Sequence, residues 1–411
     1  MKHLAEEYTI VASSPSPEDV YAYSPGLCKL DNGRLVATMD FGGTGVAREW
    51  AGQNVKLAHR WPERPDRDNI GLIYTSDDGG ITWQKKHSLP ILCMRPFTAG
   101  DSLYVIGFCR DLGIARSFDN GDTWTEVSWL TEGQLWHQAP SNVWYKGDCV
   151  YLVMERMTHE RCAWPVDGIA PVLMRGRLDR DLTERENWTF AAELIYEQNI
   201  DENQVLEFGI PFEKGGGLTR GWLETNVVQL LKEDDWFYDE SGKVFYLFAR
   251  CYTGLPWTGA MCRVIEKEDG SMHTEFVTAP SGKRMFYVNI PGGGASKFHI
   301  LYDGESKTYW LLTNDFTDSM NRREKIPGQK IPGYDRSRLV LYYSCNCFDW
   351  LFAGVVAAGR DLTQARSYAS MVIDGKDLLV LSRSGDENSF NGHDTNMITF
   401  HRVKRFRDLI G

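Results

Sequence analysis

Ser76-Asp77-Asp78-Gly79-Gly80-Ile81-Thr82-Trp83 and Ser117-Phe118-Asp119-Asn120-Gly121-Asp122-Thr123-Trp124 both read S-x-D-x-G-x-T-W. Each follows an apolar, strand-like run, residues 71–74 and 112–116. A turn this specific, present once per unit, predicts a chain assembled from repeated β-units. The residue types account for the turn. Asp accepts hydrogen bonds from nearby backbone N–H groups, Gly supplies a positive φ, and Trp packs the hairpin end onto its own sheet. A weaker third copy, Ser344-Cys345-Asn346-Cys347-Phe348-Asp349-Trp350, puts Asn for Asp, lacks the Gly and brings Trp one residue early.

Working outward, strand pairs joined by tight Asp/Gly turns recur at residues 27–40, 96–109, 142–155, 226–250, 297–314 and 369–383. Further strands follow each pair, among them residues 71–75, 172–178, 261–265 and 339–344. This spacing predicts an all-β chain, a six-bladed β-propeller of four-stranded antiparallel blades, in one domain over residues 1–411. Seven blades would also fit, because residues 191–221 carry no assignment. The last unit supplies three strands. Residues 8–13 would add the fourth and close the ring, leaving no open edge.

Composition bounds the function. The 12% aromatic content and 14 Trp suit close-packed sheets. A net charge of -11 argues against nucleic acid as a partner. No apolar run reaches the ~18 residues of a membrane helix. Residues 1–10 hold acids and no apolar stretch, and the nine Cys are odd in number, which favours reduced thiols in a cytoplasm. No cofactor is implied and no His/Asp/Glu group has zinc spacing, whereas loop oxygens are compatible with a structural calcium. Pro291-Gly292-Gly293-Gly294-Ala295-Ser296-Lys297 lacks phosphate-loop spacing and reads as a tight approach to the channel.

In a propeller the innermost strands line a central channel. Here they begin at Tyr23-Ser24, Arg95, His137-Gln138, Glu224 to Asn226, Ser296-Lys297 and Ser367-Tyr368. So polar a ring is poorly explained by packing. Three long connections, residues 41–69, 194–223 and 316–332, are candidate binding loops. The first holds Arg48, Trp50, His59, Arg60, Trp61, Arg64, Asp66, Arg67 and Asp68. Trp and Arg together suit a sugar bearing a carboxylate, the ring stacking and the guanidinium forking.

The S-x-D-x-G-x-T-W turn is the Asp box, and the chain resembles the sialidase-like β-propeller superfamily. That resemblance implies an exo-glycoside hydrolase acting on a terminal acidic sugar of an oligosaccharide or glycoconjugate. It implies Glu224, in Glu224-Thr225-Asn226-Val227-Val228, with Arg250 at the end of the same hairpin. It implies Tyr368, in Ser367-Tyr368-Ala369-Ser370-Met371, as nucleophile activated by Glu224. It implies Arg336 or Arg338 as a second guanidinium, and Asp66 or Asp68 as the acid. The family's Arg-Ile-Pro motif is missing. Tyr23-Ser24-Pro25-Gly26-Leu27 stands there, so Arg48 or Arg95 would have to substitute, and the sugar need not be an ordinary sialic acid. Tyr23, Asn226 and Lys297 complete the expected substrate-binding set.

Two other readings stand beside this one. A polysaccharide lyase on uronate-containing chains would use His137 as base, Tyr368 as acid and Arg250 as carboxylate clamp. A non-catalytic glycan-binding propeller would explain the missing first-strand Arg.

Overall fold

The computed structural model describes residues 3–60, 64–158, 168–195, 222–251, 257–316 and 335–411. Trp61 and most of the connections at 194–223 and 316–332 lie outside these residues. The fold is an all-β, six-bladed propeller of antiparallel sheets. Each blade is ordered from the axis outward. The first runs Tyr21–Lys29, Leu35–Gly43, Asp68–Ser76 and Gln84–Leu89, and the second Leu92–Ala99, Ser102–Cys109, Asp111–Ser117 and Ser128–Trp129. In the third, the innermost position is divided between Trp136–His137 and Trp144–Lys146, both paired to Cys149–Met157. The fourth begins Leu223–Val228 and Val244–Arg250, and the fifth His299–Asp303 and Thr308–Asn314. The sixth, Arg366–Asp374, Asp377–Ser384 and Met397–Val403, takes Tyr8–Ser13 as its outer strand.

The inner strands are apolar because each sheet is covered on both faces by neighbouring blades. All nine residues of Leu35–Gly43 are buried, as are all six of Leu223–Val228. The core is therefore a series of layers between blades. Val36 and Ile73 meet Leu103 and Val105 between the first two. Tyr151 stacks on Phe245 at 4.3 Å between the third and fourth. Near the axis, polar side chains join the blades. Asn142 holds both the N–H and the carbonyl of Val227, at 2.9 and 2.6 Å. Asn226 donates to the Phe298 carbonyl and accepts from Ile300 N–H.

The repeated turns sit between the third and fourth strands of the first, second and fifth blades. Asp78 accepts from Ile81 and Thr82 N–H, at 3.0 and 2.9 Å, and from the Thr82 hydroxyl at 2.6 Å. Asp119 accepts in the same way from Thr123. Trp83 and Trp124 each donate to the carbonyl of the turn glycine. In the third copy Asn346 accepts from Phe348 and Asp349 N–H, and Trp350 donates to Cys347. Cys347 takes the glycine's place at φ 62°, and the loop is shorter.

Candidate active site

Four innermost strands carry one extra residue near their start. The register slips between Tyr23 and Gly26, Leu92 and Arg95, Leu223 and Asn226, and Ser367 and Ser370. Within these bulges Ser24, Cys93, Glu224 and Tyr368 take left-handed φ values of 41°, 50°, 56° and 51°. A non-glycine residue there costs on the order of 1–2 kcal/mol, and bulges of this kind re-aim side chains beside functional sites. Four of them face one mouth of the channel. Behind them the axis narrows. Ser370 donates to the Pro25 carbonyl at 2.8 Å and lies 3.3 Å from that of Pro140, while Lys297 donates to Ala369.

The bulges deliver Glu224 and Tyr368 to a common guanidinium. Arg250 Nη1 lies 2.9 Å from Glu224 Oε2 and 3.0 Å from the Tyr368 hydroxyl. Arg383 lies 4.0 Å and Arg336 5.1 Å from the centre of the Tyr368 ring. Arg383 is buried, and among the described residues its Nε and Nη2 have no hydrogen-bond partner. Burial pushes the Glu224 carboxyl up. The Arg250 charge and hydrogen bond, with smaller contributions from Tyr368 and His137, outweigh it and hold Glu224 below its ordinary value.

A second group lies across Arg383, which also stands 5.6 Å from the Tyr23 ring. The Tyr23 hydroxyl donates to Asp394 at 2.6 Å and accepts from Arg67 at 2.8 Å, while His393 holds the same Asp394 oxygen at 2.9 Å. Burial, then the Asp394 charge, raises Tyr23 well above the usual phenol range. Asp40 pairs with Tyr23 across the first hairpin and accepts from Cys93 N–H at 3.1 Å. Burial pushes its carboxyl up to about 6, against the pull of the Cys93 N–H, Arg60 and Arg383.

In the third blade His137 Nδ1 meets Glu155 Oε2 at 2.9 Å, and Glu155 Oε1 accepts from Thr225 N–H at 2.8 Å. Burial lowers His137 to about 3 and raises Glu155 to about 8.

The structure brings together Glu224, Tyr368, Arg250, Arg336 and Tyr23, with His137 beside them. Other expected site residues are engaged elsewhere. Arg338 is paired with Asp315 at 3.7 Å, so of the two alternatives Arg336 faces Tyr368. Asn226 is fully buried and joins the fourth and fifth blades. Arg48 is exposed and bound to Asp19 and Glu49. Asp66 is exposed beside Arg64, and Asp68 pairs with His59 at 2.6 Å. Arg95 reaches Ser141 and the Asn142 carbonyl, beyond the narrowing. Lys297 is buried against the Ala369 carbonyl, and burial brings it down to about 7.

Sequence reasoning missed Asp40, Glu155 and Arg383. All three occupy the position that Arg250 occupies in its own hairpin, opposite the start of the innermost strand. Applying the Glu224–Arg250 rule to every blade would have found them.

Neither a family profile nor a curated protein matches the chain. Solved structures do. An α-L-arabinanase from Penicillium chrysogenum, in complex with arabinobiose, superposes with TM-score 0.52 at 12% identity, covering 98% of this chain and 99% of that one. An α-L-arabinofuranosidase from Fusarium graminearum, bound to an iminosugar inhibitor, gives 0.52 at 12% identity over 98% of each chain. The Trypanosoma rangeli sialidase in complex with sialic acid gives 0.50 at 13% identity, over 100% of this chain and 61% of that one. What they share is the propeller fold.

Proposed function

We propose that the protein is a retaining exo-glycoside hydrolase acting on a terminal acidic sugar, with Tyr368 as nucleophile. The observation that carries this is Arg250 Nη1 bridging Glu224 and the Tyr368 hydroxyl while two more guanidiniums stand over the phenol ring. In the first step the phenol oxygen attacks the anomeric carbon and its proton passes to Glu224. The leaving oxygen takes a proton from Asp40. In the second step water displaces Tyr368 from the sugar, Asp40 accepts the proton from water, and Glu224 returns its proton to the departing tyrosine oxygen. The roles follow from two carboxyls whose surroundings push them apart, Asp40 upward and Glu224 downward. Asp40 takes the acid's role in preference to Asp66 or Asp68 because it is buried within reach of Arg383.

Arg383 stands in for the missing first-strand Arg. With Arg336 it provides a buried cationic surface for a sugar carboxylate. Fold neighbours that process arabinosides and sialosides support a glycoside as substrate.

The test is to incubate the protein with aryl glycosides of acidic and neutral sugars and follow both released sugar and the absorbance of an unsaturated uronate. Saturated product, lost in Tyr368→Phe, supports the reading. An unsaturated product moves the chemistry to a uronate lyase. That second reading is favoured by one observation, the buried His137 held through Nδ1 by Glu155 at 2.9 Å, which leaves Nε2 for a base's role.

A further inference from the structure

Beyond the narrowing at Ser370, the opposite mouth of the channel opens into a cavity of about 690 Å³. It is separate from the Tyr368 site and lined by the downstream halves of the innermost strands. Its walls are largely apolar, with Leu27, Val143, Ile300 and Val372 among them. Three basic side chains line it: half-buried Lys29, paired with Asp374 at 3.1 Å, and Arg95 and His299, 2% and 6% exposed; the exposed Asp31 also lines it. Arg95 gives Nη2 to Ser141 Oγ at 2.9 Å and Nη1 to the Asn142 carbonyl at 3.4 Å. Its Nε has no hydrogen-bond partner, nor has His299 Nδ1. Among the described residues no carboxylate lies within ion-pair distance of Arg95, and its neighbours Lys297 and His299 are basic. Glu155 acts on Arg95 only from beyond ion-pair distance, and a buried cation with no carboxylate in contact is costly, so an anion reaching it from this cavity would be stabilised. Volume and lining fall in the range of small-molecule sites, where an apolar body is held by a few polar groups.

We propose that this rear cavity binds an organic monocarboxylate with an apolar body, its carboxylate on Arg95 Nε–H and His299 Nδ1–H. One guanidinium charge, with Lys29 already paired to Asp374, suits a monoanion better than a phosphate dianion. The proposal is independent of the hydrolytic reading, because Arg95 and His299 take no part in it.

Octanoate, octanol and octylammonium serve as probes in titration calorimetry and thermal melts. The expected result is one octanoate per chain, with octanol at least tenfold weaker and octylammonium weaker still. Arg95→Met should abolish the preference for octanoate. Thr98→Trp, at the half-buried rim, should exclude octanoate and octanol while the fold persists by circular dichroism, and it decides the matter if Arg95→Met does not fold. Arg383→Met, at the other mouth, should leave octanoate binding unchanged. The proposal is overturned by equal binding of octanoate and octanol, by no binding, by full binding in Thr98→Trp, or by loss in Arg383→Met with retention in Arg95→Met.

Discussion

Two tyrosines face the same mouth on either side of Arg383, and their surroundings assign them different work. Tyr23 donates to a carboxylate, and burial with the Asp394 charge keeps it a neutral phenol. Tyr368 receives a guanidinium N–H on its oxygen and has Glu224 beside it to take its proton. A nucleophilic phenol needs that second arrangement. Tyr368→Phe should therefore lower kcat on the order of 10³-fold while binding of a substrate analogue changes little. Turnover retained in this variant removes Tyr368 from the chemistry. Arg383→Met should act mainly on KM, raising it roughly tenfold or more for an acidic substrate by loss of charge-assisted hydrogen bonds. Equal KM values in variant and parent would show that the carboxylate is bound elsewhere. The carboxyls set the pH profile. Activity requires ionised Glu224 and protonated Asp40, so it should fall at acid pH as Glu224 protonates and at alkaline pH through about 6. The sign for stability follows from the same shift. Asp40 binds its proton more tightly folded than unfolded, so its contribution is fully present below the unfolded value of ~3.9 and lost as pH rises through about 6. Asp40→Asn should lower kcat by roughly 10²-fold or more, since an amide cannot serve as acid or base, and raise stability at pH 7 by roughly 2–3 kcal/mol. A variant no more stable than the parent at pH 7, in denaturant titrations, would mean that burial does not raise the Asp40 carboxyl.

At the scale of elements, the turns and the hairpins were legible because each is written in adjacent residues. The S-x-D-x-G-x-T-W copies fix a local hydrogen-bond pattern, and even the copy built on Asn346 and Cys347 keeps it. Asp119→Ala removes three hydrogen bonds to its carboxylate, from Thr123 N–H, Thr123 Oγ1 and Ser117 Oγ. By analogy with helix caps this should cost about 1 kcal/mol, seen as a lower melting temperature with unchanged specific activity of the folded protein. An unaltered melting temperature with activity lost would contradict a purely structural turn. The site was less legible for a physical reason. Glu224, Tyr368 and Arg250 sit where a hairpin begins or ends, and those positions can be counted along the chain. The choice between Arg336 and Arg338 rests on which side of a strand faces Tyr368, and a slip of one residue reverses it. The bulges at Ser24, Cys93, Glu224 and Tyr368 carry no glycine to announce their positive φ. Asn226 and Arg95 lie on innermost strands as expected, yet they point to neighbouring blades, because the strand's period of two alternates mouth-facing and blade-facing side chains.

At the scale of the whole molecule, a chain of net charge -11 gathers Arg60, Arg250, Arg336 and Arg383 at one mouth of its axis. Holding those guanidiniums close together requires a rigid ring, and the ring is closed by the N-terminal segment. Tyr8–Ser13 pairs with Met397–Val403, and the Leu4 and Ala5 N–H groups bond to Val355 and Val356 in the fifth blade. Ala5 also presents its carbonyl to the buried His401 Nδ1, at 3.0 Å, and Thr9 donates to Gly80 in the first repeated turn. One short segment therefore ties the fifth, sixth and first blades. Deleting residues 1–14 would strip the outer edge of the sixth blade, expose Phe400 and His401, and leave a row of unpaired N–H and carbonyl groups open to another chain. The deleted protein should melt at least about 5 °C lower and self-associate with rising concentration. Its Tyr368 site, built on innermost strands, should be retained at low temperature where the ring stays closed. Thermal melts and size-exclusion chromatography over a concentration series measure both effects. A deletion that melts with the parent and stays monodisperse would show that the remaining blade contacts suffice to hold the ring.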